Sequence, residues 1–194
     1  MTVRIKVLVS ACLLGEKVRY DGGHKRDLFL IETLGPFVEW VRVCPEADCG
    51  LPVPRETMGL VGDPERPRLV TNKTGIDHTE RMERWAKARL EELTGLDLCG
   101  YICKKDSPSC GMEPVGVFTR MFMERFPHLP VEEEGRLVDP ALCERFVGRG
   151  HTFPAVGGTP PLHPRIEPGM PPLPGMSPES ACTLEKPDSR RKKA

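Results

Sequence analysis

The sequence has no excess charge of either sign, no apolar run of membrane length, no export signal and no internal repeat. Each absence removes a class of protein. The 28 Lys+Arg are matched by 28 Asp+Glu, for a formal net charge of zero. Bulk electrostatics therefore do not hold the chain on nucleic acid, although a local basic groove stays open to it. No stretch approaches the ~20 consecutive apolar residues of a membrane span. Val9-Ser10-Ala11-Cys12 mimics a lipoprotein cleavage box, but the apolar residues ahead of it run only from Val7 to Val9, against about 7–15 in the apolar region of a signal peptide. The sequence predicts a soluble cytoplasmic protein with neither membrane nor DNA as a partner.

What is there fits one domain with an appendage. The chain has 194 residues and is 39% hydrophobic, a length that suits a single domain. Its 21 prolines are about twice ordinary usage and are unevenly spread. Residues 151–194 hold 10 of them, with four glycines and the basic end Arg190-Arg191-Lys192-Lys193. Such a stretch cannot bury enough apolar surface to offset its ordering entropy. The expected organisation is a domain over 1–148 and a Pro-rich disordered tail over 149–194, whose basic end reads as a solubilising terminus.

Periodicity places the elements. Arg4-Ile5-Lys6-Val7-Leu8-Val9-Ser10 is β-branched and largely apolar, and reads as a buried first strand. A polar glycine-bearing loop over 15–25 and a short amphipathic helix over 27–34 follow. A second strand over 38–43 delivers Cys44-Pro45-Glu46. Pro52, Pro54 and Pro64 make the next stretch loop-like, and 68–71 suits a short strand. Asp77-His78-Thr79-Glu80 carries a capping-box pattern ahead of a helix whose buried face is expected at Met82, Trp85, Ala86, Ala88, Arg89 and Leu93. A third strand over 98–104 leads into Ser107-Pro108-Ser109-Cys110-Gly111, and helices are expected over 117–126 and 140–147. Strands alternating with helices predict an α/β fold, Rossmann-like, with a mainly parallel sheet and flanking helices.

The eight cysteines are read as reduced thiols, since disulfides are rare without export. Cys12 follows the first strand, Cys44 ends the second and Cys110 lies in the loop after the third. Loops at the carboxyl ends of parallel strands converge on one crevice, so three thiols carried there by three strands can meet. That suits a metal or a metal cluster, because the ligand is the thiolate and nearness in sequence is not required. The plainer reading makes each a small buried hydrophobe. Cys99 and Cys103 are four residues apart on one strand, roughly 13 Å, too far to chelate one ion, and read as core. Cys49 forms a C-x4-C pair with Cys44 but lacks the C-x2-C that follows in plant-type ferredoxins. Cys143 and Cys182 have no companions.

Three thiolates leave a fourth position open, which admits substrate where a fourth protein ligand would close the site. Thiolates select iron–sulfur clusters, zinc or copper(I), and His24 is the nearest nitrogen ligand that would favour zinc. Groups able to move protons surround the cysteines: Ser10, Asp21, Glu46, Ser107 and Ser109. Glu46, held by Pro45, is either aimed at the open position or a solvated loop carboxylate. Asp21 either serves the chemistry or turns its own glycine loop. Arg19 and Tyr20 either grip a planar or anionic ligand or pack the loop down.

With these residues in view, the chain resembles the 2-thiouracil desulfidase family. The matching motifs are Val9-Ser10-Ala11-Cys12-Leu13-Leu14-Gly15, Val18-Arg19-Tyr20-Asp21-Gly22, Cys44-Pro45-Glu46, Gly50-Leu51 with Pro54-Arg55, Thr74-Gly75 with Asp77 and Thr79, and Ser107-Pro108-Ser109-Cys110-Gly111. Val53-Pro54-Arg55-Glu56-Thr57, Gly111-Met112-Glu113 and the run from Leu129 to Leu137 are similar to a longer subgroup linked to 4-thiouridine in transfer RNA. The resemblance implies a cytoplasmic enzyme holding a 4Fe-4S cluster through Cys12, Cys44 and Cys110. It implies that a free iron captures the sulfur of a thionucleobase and that water leaves a carbonyl, without net redox change. By analogy Glu46 takes the acid/base role, Ser107 and Ser109 are hydrogen-bonding or relay groups, and Asp21 and Ser10 are supporting polar contacts. Transfer RNA is the possible larger partner.

Two departures stand out. Family members carry another strand and loop after the counterpart of Glu113, ~10 residues on the scale of ordinary connections, whereas here Glu113 runs straight into Pro114-Val115-Gly116-Val117. A sheet strand beside the cysteine loop is therefore expected to be missing. After Phe146 the second domain is replaced by the proline-rich tail. A non-catalytic iron–sulfur or zinc protein, or an inactive truncated member, are the other readings of the same residues.

Overall fold

Four parallel strands carry the molecule, and their order explains where its loops meet. The computed structural model describes residues 4–149, all within the first of the chain's two units, Met1–His163. The expected disordered tail lies, from residue 150 on, outside the described residues. Strands β1 (Ile5–Ser10), β2 (Val38–Val43), β5 (Leu98–Cys103) and β6 (Val131–Glu133) form a parallel sheet in the order β2-β1-β5-β6. The expected α/β class is the observed one. Among the described residues no helix is long and apolar enough to cross a membrane.

Alternation along β1 splits the core into two layers, as a strand buried on both faces requires. Val7 and Val9 face a cluster with Leu13, Leu30, Leu34, Ile102, Leu137 and Phe146. Leu8 faces the other cluster, with Val43, Leu90, Leu93, Tyr101, Phe118 and Phe122. Helix α2 (Thr79–Thr94) and helix α3 (Val117–Arg125) supply the second layer. Helix α4 (Pro140–Arg149) lies over the first. The connection from β1 to β2 thus crosses one face and that from β5 to β6 the other. The strand order reverses between β1 and β5, which opens a crevice at their carboxyl ends.

Several elements depart from the expectations. The helix over 27–34 is a single π turn, Phe29–Leu34, capped by Asp27 Oδ1 on Leu30 N at 3.0 Å and followed by a 3-10 turn, Gly35–Phe37. Pro36 has no N–H to continue it. Residues expected to be loop form β3 (Met58–Val61), which pairs antiparallel with β4 (Arg68–Thr71). This strand occupies a proline-free window too short for a periodicity signal. On α2 the buried stripe is Met82, Ala86, Leu90 and Leu93, whereas Ala88 is exposed because it falls off that 3–4 spacing. No capping box forms at Asp77. Its carboxylate accepts from Thr79 N and Thr79 Oγ1, and Glu80 turns outward to Arg84. Between Glu113 and α3 no strand forms, as expected, and an unforeseen strand after α3, β6, pairs with β5.

Strand β5 is also bulged. Lys6 pairs with Leu98 but Leu8 with Tyr101, so three residues of β5 span two of β1. The extra residue flips the alternation, putting Leu98, Tyr101 and Cys103 in one core cluster and Cys99 and Ile102 in the other. Gly100 sits in the bulge because nothing larger fits: a Cβ there would stand 2.7 Å from Phe146 Cζ and 2.9 Å from Pro130 O.

The β3–β4 hairpin is tied down by carboxylates. Neighbouring groups desolvate Glu56 and push its carboxyl up, but hydrogen bonds from Thr74 Oγ1, Lys73 N and Thr74 N outweigh this and hold it below the ordinary value. Asp77 is held low by Thr79 in the same way. Groups with lowered folded-state values stabilise above the ordinary carboxylate range and lose that contribution as pH falls through the lowered values. Amide protection factors in the hairpin, corrected for the intrinsic exchange rate at each pH, are therefore expected to fall ahead of those in β1 on acidification from about pH 5 to about pH 3. A parallel fall in both would contradict it.

Candidate functional site

The three cysteines at strand ends are each held by backbone geometry. Cys12 lies in a 3-10 turn, Ala11–Leu14, that Gly15 closes at φ 95°, and its carbonyl accepts from Lys25 N at 2.9 Å. Cys44 directly follows β2. Pro45 opens a one-turn helix, α1 (Pro45–Asp48), and Asp48 Oδ2 accepts from Cys44 N at 2.9 Å. Cys110 sits on the loop that caps α3. Pro108 O and Ser109 O accept from Val117 N and Phe118 N at 3.1 and 3.0 Å, Thr119 Oγ1 donates to Cys110 O, and Ser107 Oγ accepts from Cys110 N at 3.1 Å. Unpaired amides of a helix start thus fix the cysteine loop.

That loop leaves no room beside α3. A Cβ on Gly116 would lie 2.4 Å from the Ser109 carbonyl carbon. Gly116→Ala is expected to displace the Cys110 loop and to destabilise the protein by about 1–3 kcal/mol, the usual range for overpacking, measured as a lowered urea midpoint. An unchanged midpoint would refute this close packing.

Cys12, Cys44 and Cys110 all line one cavity of about 240 Å³ at the carboxyl ends of β1, β2 and β5. Burial pushes the Cys12 thiol up to about 11, and the neighbouring Cys44 pushes in the same direction against Lys104 and Arg19. Cys110 is pushed up to about 12 by burial, opposed by a hydrogen bond from Tyr101, while Cys44 raises it further. Cys44 is raised by its own desolvation. Cys44 therefore acts electrostatically on both companions, as thiols around a shared space must.

The donor set fits an iron–sulfur centre. All three donors are desolvated sulfurs, Cys44 repels the other two, and Arg19, Arg55 and Lys104 are positive neighbours at the cavity wall. Among the described residues no group of three His, Cys, Asp or Glu side chains is arranged to hold a single metal ion. The thiols ring a cavity, which suits a prosthetic group with volume of its own.

The other predicted residues divide. Glu46, Ser107, Ser10, Arg19 and Tyr20 line the cavity. Glu46 is gripped from both sides. Arg55 Nε donates to its Oε2 at 2.7 Å, with Arg55 Nη2 2.6 Å from the same oxygen, while Ser109 Oγ donates to Oε1 at 2.9 Å. Ser109 is fully buried behind it. Arg19 stacks its guanidinium 5.3 Å from the Tyr20 ring centre. Ser10 is buried, with Oγ accepting from Lys104 N at 3.0 Å. Asp21 is not brought in: it is exposed, accepts from Gly23 N at 2.9 Å and pairs with Arg19 at 3.5 Å, so it turns its own loop. His24 lines a different, shallow cavity with Trp40 and Arg26, which removes the nitrogen ligand that favoured zinc.

The remaining thiols stay apart. Cys49 Sγ donates to Glu46 O at 3.2 Å and packs toward Leu69 and Met82. Cys103 and Cys143 are buried in the core and Cys99 packs at its margin. Cys182 lies outside the described residues. Two groups lining the cavity escaped sequence reasoning: Arg55 stood in a quoted motif without a role, and Lys104 looked like the end of a strand.

Three thiols from successive strand ends, with a buried carboxylate–guanidinium pair beside them, define an α/β protein with a thiol-lined centre at the switch point of its sheet. The chain belongs to the 2-thiouracil desulfurase family, whose model matches residues 7–134. It is similar to a solved [4Fe-4S]-dependent thiouracil desulfidase, TudS, with 32% identity and a TM-score of 0.60, covering 74% of this chain and 100% of that one. It is also 32% identical over 110 residues to the uncharacterized protein YbbK of Bacillus subtilis (strain 168), which spans 54% of this chain and 72% of the relative.

Proposed function

We propose that the protein desulfurates a thiolated uracil or related thionucleobase without net redox change, using a 4Fe-4S cluster held by Cys12, Cys44 and Cys110. The observation that carries this is the meeting of three strand-end thiols and Glu46 in one cavity. The family and the solved desulfidase supply the substrate class. When bound, the cluster would contribute a thiophilic Lewis acid with one position free of protein. In balance, the thiocarbonyl and one water become a carbonyl and hydrogen sulfide.

The chain's own residues supply the rest. Tyr20, 41% exposed at the cavity rim, offers an aromatic face to a planar base. Arg55 occupies Glu46 Oε2, so Oε1 carries the free lone pair that takes a proton from the attacking water. Ser107 Oγ accepts from two backbone amides, and its own hydrogen is left to donate into the cavity. Ser109 holds Oε1 in place.

Protein isolated without oxygen and supplied with iron and sulfide should carry close to four irons per chain and release sulfide with uracil from 2- or 4-thiouracil. A fully loaded protein that frees no sulfide from either would reject the enzyme reading. Stoichiometric zinc in place of iron would reject the cluster.

A further inference from the structure

A second ion pair stands at the thiol-lined centre, and the reaction above makes no use of it. Lys104 walls the cavity together with the three cysteines, whereas its partner Glu134 does not. Lys104 Nζ donates to Glu134 Oε1 at 2.5 Å and to Lys105 O at 2.7 Å. Glu134 opens the 3-10 turn Glu134–Arg136 directly after β6, and its Oε2 accepts from Lys105 N at 2.7 Å. The backbone is pinned as well, because Lys104 N donates to Ser10 Oγ at 3.0 Å.

The pair has a direction. Its cation forms cavity wall and its carboxylate lies behind, so the space ringed by Cys12, Cys44 and Cys110 meets positive charge. The two side chains are only 15% and 13% exposed, and water screens charges weakly at that burial. An ammonium carries three hydrogens. Glu134 and Lys105 take two, and the third has no acceptor among the described residues. A mostly buried cation with a donor to spare suits a cavity whose occupant is anionic. Three thiolates supply such charge, and Lys104 already pulls the Cys12 thiol down against its burial.

We propose that Lys104, positioned by Glu134, is the cation that balances the three-thiolate centre and sets its reduction potential. The inference rests on the iron–sulfur reading and adds to it a charge outside both the ligands and the Glu46 pair. Positive charge beside a cluster favours its more negative, reduced state and so raises the potential. It also makes the centre a stronger Lewis acid toward a thiocarbonyl sulfur.

The test uses the reconstituted full-length protein, with iron per chain counted and the potential read by spectroelectrochemistry. Lys104→Met keeps most of the stem and removes the charge. It is expected to hold wild-type iron at a potential below that of wild type. Glu134→Gln still accepts from Lys105 N but leaves Lys104 without its counter-charge, so its potential is expected above wild type. Lys104→Arg keeps the charge and should fall closest to wild type. A pair that merely ties β6 to the cysteine loop would not give shifts of opposite sign. Shifts of the same sign in Lys104→Met and Glu134→Gln, or none in either, overturn the proposal. Should Lys104→Met fail to fold or to hold iron, a potential at or below wild type in Glu134→Gln overturns it alone. Wild type that takes up no iron refutes the cluster and this role with it. Iron-loaded wild type that frees no sulfide refutes only the desulfidase, and the signs of the shifts still decide the role of Lys104.

Discussion

Cys12→Ala, Cys44→Ala and Cys110→Ala are each expected to lose most bound iron, whereas Cys99→Ala keeps it. The three thiols come from three separate loops and line one cavity, so among the described residues no neighbouring donor can replace a missing one. His24 faces another cavity, Cys49 is turned to Glu46 O, and Cys103 is directed at Glu132 O. Burial that pushes these thiols up also makes an unligated thiolate costly. Loading must therefore displace protons from all three together, and a site with two thiols gains too little to do so. Iron per chain after oxygen-free reconstitution checks this, with circular dichroism to show that each variant folds. Equal iron in all four variants would remove the assignment.

Glu46→Gln carries the second large effect. Iron should stay at the wild-type level while kcat for sulfide release falls by about 10²–10⁴, the usual contribution of a positioned acid or base. Glutamine keeps the shape and still accepts from Ser109 Oγ, but it cannot take a proton from water and it leaves the Arg55 guanidinium without its counter-charge. Arg55 is 6% exposed, so some loss of stability is expected as well, because a buried charge without its partner is expensive. Arg55→Lys separates the two contributions. A lysine restores the charge but not the fork that holds Oε2 while reaching Val18 O at 2.9 Å. Its kcat should fall between those of wild type and Glu46→Gln. Full turnover in Glu46→Gln would end the acid/base role.

The parts legible in the sequence were those that local physics writes. The β-branched run 5–10 reads as a buried strand and the run 38–43 as a second strand, and both form. The cysteines that follow them had to lie at one edge of a parallel sheet. Glu46 was visible because Pro45 fixes it beside Cys44. The sequence left Asp21 open because an Asx turn and a catalytic carboxylate look alike in one dimension, and the structure spends this carboxylate on Gly23 N. Strands β3 and β6 were missed because each is four residues or fewer and gains its place from neighbours.

Composition and periodicity were enough to decide the α/β class, the parallel core and the common edge for Cys12, Cys44 and Cys110, because burial of alternating apolar faces leaves few other arrangements. The packed chain decided what surrounds those sulfurs. Arg55 meets Glu46 nine residues away and Ser109 meets it across 63, and no local pattern encodes such a pairing. Tyr101 shares a core layer with Cys110 because a single inserted residue in β5 reverses the side on which everything after it lies. Strand alternation has a period of two, so one residue of slip is the largest change that packing can impose without altering the sequence.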